Sequence, residues 1–142
     1  MFAKQLTVFI ENRSGRLSEV LNVLKENKIN ILSLSLADTT EFGLLRLIVN
    51  DAALGKEKLN ENGYSALLSD VSIISIPHKA GALQELLKDI DKGGVNIEYM
   101  YGLSIEAEEA YVVLKASDGA KIEEILNANS VKTLSCEDLK SI

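Results

Sequence analysis

The chain carries one pattern twice. With Gly15 set against Gly81, 66 positions further on, Ile10 meets Ile76, Leu17 meets Leu83, Glu19 meets Glu85 and Leu21 meets Leu87. The pair Asn30-Ile31 meets Asn96-Ile97 in the same register. The second copy then gains one residue, after which Asp51, Leu59, Asn60 and Leu67 meet Asp118, Leu126, Asn127 and Leu134. A register kept by glycines, core leucines and an Asn-Ile pair points to two copies of one folding unit. The expected domains are residues 1–70 and 71–142. Units of about 70 residues bury little on their own, so each gains from pairing with a neighbour.

Periodicity orders each copy as strand, helix, strand, strand, helix, strand. Leu6, Val8 and Ile10 alternate with Thr7 and Phe9, the period of a half-buried strand. Leu17, Val20, Leu21 and Leu24 then fall on one helical stripe, with Ser14 as the expected N-cap. Strands are expected over 31–37 and 44–49, separated by a turn over 38–43. A weaker helix starts at Asp51 and stops at Asn62-Gly63, and 64–68 is the fourth strand. In the second copy, 71–76 is a strand, and Leu83, Leu86, Leu87 and Ile90 form a helical stripe ending at Gly93-Gly94. Strands follow near 95–103 and 110–116, then a helix through Ile122, Ile125 and Leu126, then a last strand over 131–136 containing Cys136. Residues 64–76 read as almost continuous strand, which would hold the two units tightly together.

The third strand of the first copy is apolar on both faces, with Leu44 and Ile48 on one and Leu45, Leu47 and Val49 on the other. Leu32, Leu34 and Leu36 are expected on one face of the second strand. One helical layer covers one face of a sheet only. A homo-oligomer, most simply a dimer, is therefore expected. Apolar residues left exposed to solvent are the alternative.

The turns between first strand and first helix are the candidate binding elements. They read Asn12-Arg13-Ser14-Gly15-Arg16-Leu17 and His78-Lys79-Ala80-Gly81-Ala82-Leu83. Each puts a glycine where a helix begins, and the amides of a first helical turn favour a carboxylate or phosphate. Asn12 and His78 occupy matching positions beside them. The same spacing also suits a tight turn that binds nothing. Asn30 and Asn96 each start a second strand. Such an asparagine is either a turn residue or a carboxamide that donates to one end of a zwitterion and accepts from the other. Ser33 and Ser35 in the first copy match Tyr99 and Tyr101 in the second, rings that either line a pocket or pack in a core.

Composition narrows the function. Net charge is −6, a poor match to a phosphate backbone, so no nucleic acid is expected as partner. One cysteine and one histidine supply neither an internal disulfide nor a multi-Cys or His-rich metal site, so no cofactor or metal is expected. No apolar run approaches the about 20 residues that span a bilayer, and the start of the chain alternates like a strand rather than a signal peptide. A cytoplasmic protein without membrane association is the expectation.

Both copies resemble the ACT domain, a small regulatory module of amino-acid metabolism. Its first loop typically reads acidic-or-Asn, any residue, Pro, Gly, any residue, Leu. Asn12 to Leu17 and His78 to Leu83 match, with Ser14 and Ala80 in place of the proline. The family's Asn-Ile at the second strand matches Asn30-Ile31 and Asn96-Ile97. The resemblance covers nearly the whole chain, twice, and implies an α+β fold of two ferredoxin-like βαββαβ units, antiparallel sheets with helices on one face. It implies that a small ligand, usually a free amino acid, is held between paired domains. The loop of one domain and the second strand of its neighbour would contact it. Carried over, this nominates Asn12, Arg13, Ser14, Gly15 and Leu17 with Asn96 and Ile97. It equally nominates His78, Lys79, Ala80, Gly81, Ala82 and Leu83 with Asn30 and Ile31. Because Arg13 and Arg16 make the first loop cationic and Tyr99 and Tyr101 flank the second unit, one site should bind a given amino acid better than the other.

The leading expectation is a non-enzymatic amino-acid sensor that modulates a separately encoded metabolic enzyme. The alternative is an assembly module of the same fold without a ligand. A small hydrolase of acyl phosphates would need a loop arginine in a glycine-rich cradle and a water-placing asparagine. The second loop has no arginine and neither loop has the cradle. RNA binding would need aromatics on two central strands, where only Phe9 and Tyr111 stand. A metal chaperone would need a paired-cysteine loop.

Overall fold

The computed structural model describes residues 2–38, 41–103 and 109–142, with the side chain of Asp38 left aside. The chain forms two compact units: Lys4–Ser69 with Leu139–Ile142, called the first unit, and Met1–Ala3 with Asp70–Asp138, called the second.

In the first unit, β1 (Ala3–Glu11) leads into α1 (Arg16–Glu26), followed by β2 (Ile31–Asp38), β3 (Phe42–Val49), α2 (Ala52–Glu61) and the start of β4 (Ser65–Ile76). The strand order is β2-β3-β1-β4, with β3 antiparallel to both β1 and β2. In the second unit the end of β4 leads into α3 (Ala82–Lys92), β5 (Ile97–Leu103), β6 (Ala110–Ala116), α4 (Gly119–Ala128) and a short β7 (Thr133–Leu134). Here β4 lies between β7 and β6, and β5 is outermost. Each unit thus has the connectivity of a βαββαβ fold. Residues 39–40 of the expected turn over 38–43 lie outside the described residues.

The alternation that defines β1 builds the first core. Leu6 and Val8 stand opposite Leu47 and Leu45 on β3, and Val20, Val23 and Leu24 of α1 and Leu59 of α2 close over them. The second core repeats this. Ile74 and Ile76 stand opposite Val112 and Ala110, under Leu86 and Ile90 of α3 and Ile122 and Leu126 of α4. Helices cover the sheet face that carries these stripes in each unit, and the opposite face is apolar as well, with Ile48 on β3, Ile73 on β4 and Val113 on β6 fully buried.

Local signals recur at the repeat spacing. Asp51 caps α2 by accepting the Leu54 N–H at 3.1 Å, and Asp118 caps α4 by accepting the Lys121 N–H at the same distance. Both β2 and β5 carry a bulge at the same place, between Ile31 and Ser33 and between Ile97 and Tyr99. The extra residue changes the facing that strict alternation assigns. Leu34 and Leu36 pair with Leu47 and Leu45 on the helix side, Leu32 is the bulged residue, and the three leucines do not share one regular face.

Two further expectations are corrected. Ser14 does not cap α1. Gly15 occupies the N-cap at φ +88° and no side chain bonds the first turn. The last strand is also shorter than expected, since β7 is two residues and Cys136 begins a helix, α5 (Cys136–Lys140). Ser135 and Asp138 impose that switch. The Asp138 N–H donates to Ser135 Oγ at 3.3 Å, while the Asp138 carboxylate accepts from the Ser135 N–H at 2.7 Å and its hydroxyl at 2.9 Å. This reciprocal capping box overrides the β-propensity of the preceding residues.

Candidate functional site

The two loops joining first strand to first helix have the same backbone. The Arg13 N–H donates to the Glu11 carbonyl at 2.8 Å, Arg16 to Arg13 at 3.4 Å and Glu19 to Gly15 at 3.0 Å. In the second unit Lys79 donates to Pro77 at 2.9 Å, Ala82 to Lys79 at 3.3 Å and Glu85 to Gly81 at 3.0 Å. Gly15 at φ +88° and Gly81 at φ +85° make this path possible, and a Cβ at either would meet nothing within 4 Å. The glycines are therefore required by backbone conformation rather than by crowding. The Arg16 and Ala82 amides are taken by the turn itself, and the next amides of α1 and α3, at Leu17 and Ser18 and at Leu83 and Gln84, have no intrahelical acceptor, while the helix dipole adds partial positive charge.

Each loop borders a groove on the side of the β2–β3 or β5–β6 hairpin. The groove of the first unit, about 250 Å³, is bounded by Ile10, Asn12, Arg13, Leu17, Leu36 and Gly43. That of the second unit, about 580 Å³, is bounded at equivalent positions by Ile76, His78, Lys79, Leu83 and Ala110, and runs on to Ala80, Gln84 and Leu87. The larger groove has an apolar floor with His78, Lys79 and Gln84 at its rim. It falls within the size range of small-molecule sites.

The two loops differ in charge. Arg16 contacts Glu11 at 3.5 Å and Glu19 at 3.1 Å, and Arg13 contacts Glu11 at 3.1 Å. The Tyr64 hydroxyl donates to Glu19 at 2.7 Å, and the Arg16 guanidinium lies 5.8 Å from the Tyr64 ring centre. The hydrogen bond from Tyr64 and then that from Arg16 hold the Glu19 carboxyl below its ordinary value. Burial and then Glu19 push the Tyr64 hydroxyl up, while Glu19 chiefly raises Arg16. The arginines that make the first loop cationic on paper are thus engaged by carboxylates of the same unit. Pro77 and Ala82 stand where the second loop would need Glu11 and Arg16, so this latch has no counterpart there.

The remaining nominated residues do not line the groove of their own unit. Ser14 is exposed in the first loop but does not line its groove, and Ala82 faces a separate depression toward Glu85 and Asn129. Asn30 is exposed, its N–H donating to Asn50 Oδ1 at 3.0 Å; Asn96 is exposed, donating to Ser117 Oγ at 3.2 Å. Ile31 packs on the first core and Ile97 on the second. In each unit the Asn-Ile pair starts the second strand, whereas the groove touches the end of that strand in the first unit, at Leu36 and Ala37. Six residues of strand, about 20 Å, therefore separate Asn30 from Leu36, where the groove of its own unit begins. Tyr99 and Tyr101 stack on each other, ring centres 6.4 Å apart at 17°, in register with Lys115 and Val113 on the sheet face away from the helices. Groove residues that sequence reasoning missed are Leu36, Gly43, Gln84, Leu87 and Ala110. For Leu36 and Gly43 the signal was present in the repeat, where they stand against the unlike residues Gly102 and Ala110.

Among the described residues, no three His, Cys, Asp or Glu side chains cluster as a metal site requires, and no helix is long and apolar enough to cross a membrane.

Comparison with known proteins gives a consistent picture. The profile of the ACT domain pair family matches residues 1–142. Among solved structures, the chain is similar to protein BT0572 from Bacteroides thetaiotaomicron, with 39% identity and a TM-score of 0.93, covering 100% of this chain and 98% of that one. It is also similar to the ligand-free regulatory subunit of aspartate kinase from Thermus thermophilus, with 19% identity and a TM-score of 0.62, covering 89% of this chain and 90% of the other. The aspartokinase alpha and beta subunits match with 15% identity, a TM-score of 0.58, and coverage of 91% and 90%. These last two likenesses concern the fold. No curated protein matches the sequence.

Proposed function

This chain belongs to the ACT domain pair family, and from that premise we propose that it is a non-enzymatic regulatory protein that binds a free amino acid and modulates a metabolic enzyme encoded separately. One observation carries the reading: the same loop, with the same hydrogen bonds and the same left-handed glycine, is built twice, and each time it places open helix-start amides beside a groove. A ligand carboxylate is satisfied by those amides. Its ammonium is satisfied by loop carbonyls and by Asn12 or His78, and its side chain lies in the groove. Each charge-assisted hydrogen bond contributes about 1.5–3 kcal/mol. Association costs offset much of this, which gives a dissociation constant on the order of micromolar to millimolar. Binding that favours one arrangement of the protein shifts its population, and a partner enzyme reads the shift. The fold is one that regulatory subunits of aspartate kinase also use, which supports an enzyme as the partner.

The test is calorimetric titration of the pure protein at neutral pH with each of the twenty amino acids. Saturable heat for one or a few is expected, and silence across the panel at millimolar concentration removes the reading. A second reading, assembly without a ligand, draws on Leu34 and Phe42, which are 47% and 51% exposed around the outermost strand β2. It requires a dimer in sedimentation equilibrium together with calorimetric silence.

A further inference from the structure

The two loop grooves are built from equivalent residues, yet one is more than twice the volume of the other. The hairpins beside them differ at position 36 of the first unit and position 102 of the second. Leu36 pairs with Leu45 on β3, and Gly102 pairs with Val112 on β6, so the two hold the same place in their hairpins. Leu36 projects into its groove, where its Cδ1 would lie 3.4 Å from a Cβ placed on Gly43. Gly102 projects nothing, and a Cβ placed there would meet no atom within 4 Å. The first groove reaches Leu17 and stops. The second passes Leu83 and continues to Leu87, one turn further along the same face of α3.

We propose that position 36/102 is the specificity-determining position of the pair: Gly102 opens the second unit to an amino acid with an apolar side chain, and Leu36 closes the first unit to it. This rests on the amino-acid-binding reading above and adds which unit binds and what class of ligand it takes. In the second unit the walls that meet a ligand side chain are Ile76, Ala80, Leu83, Leu87 and Ala110. The gain from filling such a groove is the removal of apolar surface from water, which glycine or serine as ligand cannot supply. In the first unit the Leu36 side chain, itself half-exposed, stands in that space.

The experiment is calorimetry with L-leucine, L-methionine, L-phenylalanine and glycine as probes, on the full chain and on Gly102→Leu, Leu36→Gly and the double exchange. Gly102 lies outside the left-handed region and has open space at its Cβ, so leucine fits there without strain. The wild-type chain is expected to bind at least one of the three apolar probes at one site per chain, more tightly than glycine. Gly102→Leu should weaken that binding at least tenfold, Leu36→Gly should raise the number of sites toward two, and the double exchange should return it to one. The gain in Leu36→Gly cannot arise from misfolding, and Leu36→Ala provides a milder version if the edge strand is weakened. Binding by the wild-type chain that Gly102→Leu leaves unchanged, or a Leu36→Gly variant with no added site, overturns this inference and leaves the amino-acid reading standing. No binding of any amino acid by the wild-type chain overturns both.

Discussion

Gly81→Ala isolates the energetic role of the loop glycine. At φ +85° an L-residue brings its Cβ against the following carbonyl, at a cost of about 1–2 kcal/mol. Alanine also restricts the unfolded chain, which returns about 0.4–1 kcal/mol to the folded state. Because a Cβ at this position meets no other atom within 4 Å, no packing loss or gain enters. The net destabilisation is therefore about 0–1.6 kcal/mol, centred near about 0.8 kcal/mol. Gly15→Ala, at φ +88° with equally open surroundings, should cost the same within a few tenths. Asparagine tolerates the left-handed region better than alanine, so Gly81→Asn should recover part of the loss. Urea denaturation followed by circular dichroism measures all three, with an unchanged slope confirming that the unfolding reaction is the same. A Gly81→Ala variant more stable than the wild type, or a Gly81→Asn variant less stable than Gly81→Ala, would refute the argument that conformation alone demands the glycine.

Other expectations follow from the same geometry. Tyr64→Phe removes the strongest support of the ionised Glu19 carboxylate, so its titration midpoint, followed by carboxyl NMR, should move up. Since the folded value lies below the unfolded one, the stability Glu19 contributes is present above its unfolded midpoint and disappears as pH falls through the folded midpoint; Tyr64→Phe should shrink that acid-limb dependence. Ser135→Ala removes the cap of α5 and should destabilise the protein by about 0.5–2 kcal/mol in denaturant titrations, with Asp138 titrating somewhat higher because its largest support, the Ser135 N–H, remains while the second, the Ser135 hydroxyl, is lost. Leu59→Ala and Leu126→Ala delete equivalent, fully buried side chains, and each should cost about 2–5 kcal/mol by the same assay.

The duplication made most of the fold legible, because every strong local signal occurs twice. The period of Leu6, Val8 and Ile10, the helical stripes, and Asp51 and Asp118 at helix starts all act through nearest-neighbour geometry, which a sequence exposes directly. Three features did not show. The bulges after Ile31 and Ile97 reverse the facing of the residues beyond them, and nothing in the strand composition marks an extra residue. At the last strand, apolar alternation through Val131 and Thr133 outweighed the Ser135-x-x-Asp138 box that starts α5. The loop was legible as a loop, but its cap was misassigned, since Ser14 is the commoner capping residue whereas the backbone path needs a left-handed glycine. The groove was less legible still. Leu36 and Gly102 are equivalent only once strand register is known, and the neutralisation of Arg16 by Glu11 and Glu19 depends on packing no spacing rule supplies.

The central claim is that helix-start amides beside a left-handed glycine receive the carboxylate of an amino acid. Amide chemical-shift mapping during titration of ¹⁵N-labelled protein with the amino acid that gives calorimetric heat reads this most directly. Saturable shifts centred on His78 through Leu83, with the same midpoint as the heat, are the expected result. Shifts confined to residues away from both helix starts, with these amides unmoved at saturation, would contradict it.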